Sequence, residues 1–124
     1  MDHYDPERTP EPSSWLGFDE ATRINLVLKY HENIEVELPN ENLHAVVHVV
    51  VENQAALGED PVPETLERLT RQGLDRHEAV HAVGAILAND IYNLLNTKDA
   101  TWDSRKYRRR LAKLTAKRWR KGKW

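Results

Sequence analysis

Four of the six histidines stand as two pairs at i, i+4: His44 with His48, and His77 with His81. On a helix, residues four apart lie one above the other, so each pair can present two imidazoles to a single metal ion. The second pair sits in the string His77-Glu78-Ala79-Val80-His81, which is HExxH as written. The first pair continues at the same interval to Glu52, giving H-x-x-x-H-x-x-x-E. Glu78-x-x-His81 also has the Glu-x-x-His form of dimetal carboxylate bundles. Imidazole-rich ligation makes zinc the default divalent ion, with His44, His48, His77 and His81 as ligands. Three ligands leave an open position whose bound water Glu78 or Glu52 can deprotonate, the chemistry of a metal-dependent hydrolase. Four ligands close a tetrahedral site and make it structural.

A zinc peptidase is the first reading of HExxH, and two features argue against it. Gly84 fits the longer HExxHxxGxxH pattern, but Leu87 stands where its third histidine falls, and no Glu follows residue 78. The competing explanation of the histidines is partial burial with hydrogen bonding, Glu78 serving only to cap a helix. His31, at the end of an earlier helix, suits an exposed role better than an outer ligand position.

The elements that must carry these residues read as helices. Asp19 caps a first helix through Tyr30. Ile34, Val36 and Leu38 alternate with acids before Pro39 and read as an extended connector, because one lone strand has no partner. Asn40 can cap a second helix ending at Gly58. Its stripe of Leu43, Val46, Val47, Val50, Gln54 and Leu57 outweighs the β-branched run Val46–Val51, and the histidines border that stripe. Pro61 and Pro63 open a short third helix with Leu66 and Leu69 inward and Gly73 at its end. Asp75 and Glu78 form a capping box for a fourth, to about Asn96, with Val80, Val83, Leu87, Ile91 and Leu94 inward. A last helix starts at Asp103 or Ser104 with a thin seam of Tyr107, Leu111 and Leu114. Short connections set neighbouring helices antiparallel, so the second and fourth run parallel and their histidines share one end.

The expected architecture is therefore all-α, one compact bundle of four to five helices. Residues 1–14, rich in Pro and charge, are expected to be poorly ordered. Residues 15–103 form the helical domain, and residues 104–124 a basic C-terminal helix or tail. The segment LHAVVHVVVENQ at Leu43–Gln54, with its L-H-x-x-x-H-x-x-V-E-x-Q string, is followed by Pro61 to Pro63 and a histidine-bearing helix. It resembles a bacterial family of short uncharacterised proteins, the domain of unknown function numbered 1841, over roughly residues 40–112. The resemblance implies a helical fold and no established activity. It maps the family's paired histidines onto His44, His48 and His81, with Glu52 beside them.

Charge is divided unevenly. Residues 1–103 hold 7 Lys+Arg and all 20 Asp+Glu; residues 104–124 hold 11 Lys+Arg and no acid. Such a tail suits a nucleic acid or an acidic protein, and it can equally dock on its own acidic body or on a neighbouring subunit in a homo-oligomer. Residues 115–124 carry few apolar groups besides Trp119 and Trp124, so the fold is expected to survive their removal. The tail lacks the broad apolar face of a membrane-surface helix. With no cysteine, thiolate chemistry is excluded. No apolar run approaches ~18 residues, and the N-terminus is acidic rather than signal-like, so a cytoplasmic protein is the default.

Overall fold

The computed structural model describes residues 3–33 and 41–124, and the side chains of all of these except 31–33, 41 and 42. Seven helices form among the described residues: α1 (Pro12–Gly17), α2 (Glu20–Asn33), α3 (Glu41–Ala56), α4 (Val62–Arg71), α5 (Arg76–Leu95), α6 (Ser104–Lys113) and α7 (Ala116–Arg120). No strand occurs among them. The all-helical expectation holds, with more helices than the four to five expected: α1 and α7 are short and carry too few apolar positions to show a period. The expected connector through Ile34, Val36 and Leu38 and the Asn40 cap lie outside the described residues, as does the His31 side chain.

Local chemistry sets the helix ends. Asp19 accepts from the Thr22 amide at 2.8 Å, and Asp75 from the Glu78 amide at 2.7 Å. Asp103 accepts from the Arg105 and Lys106 amides at 3.0 and 3.3 Å. Each satisfies donors that a first helical turn leaves open. Gly58, at φ +67°, lets the Glu59 amide return to the Gln54 carbonyl at 2.9 Å and closes α3.

Helix α3 lies between two apolar clusters. On one side Tyr4, Trp15, Leu26 and Val27 meet Ala45 and Val49. On the other, Val51 joins Val62, Leu66 and Leu69 of α4, the inner face of α5, Tyr107 and Leu111 of α6, and Leu114 at the C-terminal end of α6. Packing on both sides is what keeps the β-branched run Val46–Val51 helical against its propensity. It also turns the helix. The expected inward stripe faces out at Leu43 (57% exposed), Val46 (41%) and Leu57 (58%), while Val47 against Gly84 and Val50 against the second cluster stay half-buried. The buried face is nearly opposite, and it carries Ala45, His48, Val49, Val51 and Glu52.

The first residues also depart from expectation. Tyr4 is 2% exposed and packs against Trp15 and Tyr30, with ring centroids 5.6 and 6.1 Å away. One anchored aromatic orders a segment whose composition signals a coil.

The basic tail is likewise part of the body. Arg68 donates to the carbonyls of Leu111 and Leu114 at 2.8 Å each. The Ala116 amide donates to Gln72 at 2.9 Å, and Ala116 is buried. Arg110 pairs with Asp90, and Arg108 with Asp60. Cutting residues 115–124 therefore removes packed structure, contrary to the sequence expectation.

Tyr107 carries a pH prediction. Burial, then the nearby Asp90 charge, pushes its phenol well above the ordinary 10. The folded state thus holds that proton more tightly than the unfolded chain. The stabilisation is complete below pH 10 and is lost progressively as pH rises above it. Tyr107→Phe is expected to flatten the alkaline limb of a stability–pH curve measured by urea unfolding. It also removes the 2.8 Å bond to Gln54, at a cost of about 1 kcal/mol near neutrality. An unchanged alkaline limb would show that Tyr107 does not report this linkage.

Candidate metal centre

The crossing of α3 and α5 builds the site. Gly84 makes the close approach possible: a Cβ there would stand 2.8 Å from Val47 Cγ1, inside contact distance. Gly84 lies three residues beyond His81, and Val47 adjoins His48, so this tight contact falls within one turn of the histidines. Gly84→Ala is expected to lower stability by about 1–2 kcal/mol, overpacking of about 1–3 kcal/mol offset in part by better helix propensity. Adding Val47→Ala should recover most of the overpacking loss in thermal melts. If the double variant melts no higher than Gly84→Ala alone, the clash is not the cause.

All four expected histidines converge. Ring centroids are 4.8 Å apart for His44–His48, 4.9 Å for His44–His81, 4.8 Å for His48–His81 and 4.3 Å for His77–His81. The donor atoms of His44, His48 and His81 all lie within 4.8 Å of one another, so these three could hold a metal ion. His77 stands beside this trio. It lies 5.3 Å from His48 by ring centroid and meets Tyr30 edge-on at 5.5 Å.

His48 is the best-anchored member, 1% exposed, and its surroundings fix its proton. Its Nδ1 is 3.2 Å from the Tyr4 hydroxyl, which is itself 2.6 Å from Glu52 Oε2. Glu52, also 1% exposed, receives both arms of Arg76 at 2.7 and 2.8 Å, so it is an ion-paired carboxylate and only accepts. The single Tyr4 proton goes to Glu52. His48 Nδ1 must then donate to the Tyr4 oxygen, and in the neutral ring Nε2 carries the lone pair. That lone pair faces His81 Nε2 at 2.8 Å. Burial, then the Glu52 charge, holds the Tyr4 phenol well above its ordinary range, so it keeps its proton.

The N-terminal residues complete the wall. Arg76 also donates to the Pro6 carbonyl at 2.9 Å, and the His77 amide donates to Glu7 at 3.0 Å.

Neither carboxylate considered as a proton acceptor takes that position. Both oxygens of Glu52 are engaged by Arg76 and Tyr4. Glu78 is exposed at the start of α5, where its amide is capped by Asp75. Sequence reasoning missed Tyr4 and Arg76. The expected stripe of α3 put Glu52 on its outward side, where an acid needs no counter-charge, so nothing in the spacing called for them.

Comparison with protein-family models, with curated proteins and with solved structures gave no match. Among the described residues, no helix is long and apolar enough to cross a membrane.

Proposed function

We propose that this protein binds one first-row divalent ion, zinc by default, through His44, His48 and His81. The observation that carries the reading is the His48 relay. Metal-bound histidines characteristically donate their other ring N–H to an oriented acceptor, and Arg76–Glu52–Tyr4 supplies one for Nδ1 while Nε2 faces the trio. A tetrahedral ion with Zn–N bonds of ~2.0–2.1 Å sets two nitrogens about 3.3 Å apart. Loading therefore opens the 2.8 Å His48–His81 pair by about half an ångström and moves the His81 proton off Nε2. Three imidazoles leave a fourth position for water or another donor. With Glu52 committed to Arg76 and Glu78 exposed, the reading is metal binding, without an assigned hydrolytic step.

Titration calorimetry of untagged protein with zinc tests it. One ion per chain is expected, and His44→Ala, His48→Ala or His81→Ala should each weaken binding by more than the about 10–100-fold typical of losing an outer partner. Tyr4→Phe keeps the ring but removes the acceptor for Nδ1–H, and should fall within that about 10–100-fold range. If zinc binds no better than to a variant lacking all three histidines, the cluster is only a hydrogen-bonded one and the reading fails.

A further inference from the structure

Four of the eleven cations in residues 104–124 are used within the fold. Arg108 and Arg110 pair with Asp60 and Asp90. Arg118 donates to the Lys113 and Lys123 carbonyls, and Arg120 to the Gly73 carbonyl. The remainder leave α6 with a cationic outer face. Tyr107, Leu111 and Leu114 define its buried side. At 100° per residue, Arg105, Arg109 and Lys113 fall opposite, spaced four residues and about 6 Å of rise apart. Lys106 flanks them, and all four are exposed. No acid occurs in residues 104–124; Asp103 caps the helix through the Arg105 and Lys106 amides, and the one side-chain cation it pairs with among the described residues is Arg105, at 3.9 Å. Beside Lys113 lies a cleft of about 170 Å³ lined by Arg110, Lys113, Arg118 and Trp124, whose ring lies 5.7 Å from that of Trp119.

We propose that this face binds the phosphodiester backbone of a nucleic acid without sequence preference. A row of like charges at a regular interval matches a polymer of regularly repeated negative charge. An exposed indole beside it offers a stacking surface for a base. A lipid surface fits less well, because beside the single Trp124 indole the outer face offers only Ala112, far short of the broad apolar face that inserts into a membrane. An acidic polypeptide lacks bases to use the indole. The inference stands apart from the metal centre, which α3 and α5 build without these residues.

The test uses full-length untagged protein and a fluorescent 20-nucleotide single strand, followed by anisotropy from 50 to 200 mM salt. Four phosphate contacts give a slope of about −3 in log–log form, close to a 50-fold loss of affinity over that range. Arg105→Gln with Arg109→Gln and Lys113→Gln should reduce the slope by about 2 while leaving the thermal midpoint unchanged, since all three side chains are exposed. Should that variant prove unstable, Arg109→Gln alone should still lower the slope by about 0.7. Unchanged affinity and slope in these variants overturn the proposal. So does equal binding of polyglutamate of matched charge, or binding of phosphatidylserine vesicles without binding of the oligonucleotide.

Discussion

Replacing Arg76 with Leu is expected to destabilise the protein by about 3–5 kcal/mol, because it strands the buried Glu52 carboxylate without its counter-charge. For a chain of this length, about 4 °C of melting temperature accompanies each kcal/mol, so the midpoint should fall by about 10–20 °C. Arg76 also holds the Pro6 carbonyl at 2.9 Å, so the N-terminal residues should loosen in the same variant. Hydrogen exchange should show that loosening. Glu52→Gln with Arg76→Leu should recover part of the loss, since the uncompensated charge is then gone. A melting temperature within 2–3 °C of wild type for Arg76→Leu would mean that water reaches Glu52 and the relay to His48 is not a buried one.

Zinc itself should produce the second large effect. A ligand that binds only the folded state at a free concentration 100 times its dissociation constant adds about 2.7 kcal/mol. At about 4 °C per kcal/mol, that is close to a 10 °C rise in the melting midpoint. A chelator should reverse it, and His81→Ala should abolish it while the metal-free midpoint moves far less, because His81 is only partly buried. The effect should also fade toward low pH, since neutral imidazole is the ligating form and protons compete for it. A rise that survives in His81→Ala places the ion elsewhere.

The α6 seam was legible in the sequence because local spacing decides it: Tyr107, Leu111 and Leu114 are the only apolar side chains of any size there, and they are the ones buried. The two histidine pairs were legible for the same reason, since i, i+4 spacing and short connections are local properties. The orientation of α3 was not. With valines around most of its circumference, the helix has no dominant apolar side, and the winning face is set by what α1, α2, α4 and α5 bring to it. That face includes His48 and Glu52, whose burial depends on Arg76, 24 residues beyond Glu52, and on Tyr4, 48 before it. Such long-range polar compensation leaves no periodic trace. The same holds for Gly84, which matched a metalloprotease pattern by position but whose observed role is to admit Val47.

On the proposed reading, His44, His48 and His81 ligate one ion together. X-ray absorption at the zinc edge, on protein loaded with one equivalent, reads this most directly. Three imidazole nitrogens at ~2.0–2.1 Å are expected, with their outer-ring scattering, and one further light atom completing a tetrahedron. In His48→Ala the imidazole count should drop or the zinc should be lost. A six-coordinate oxygen shell without imidazole scattering, or an unaltered spectrum in His48→Ala, would contradict it.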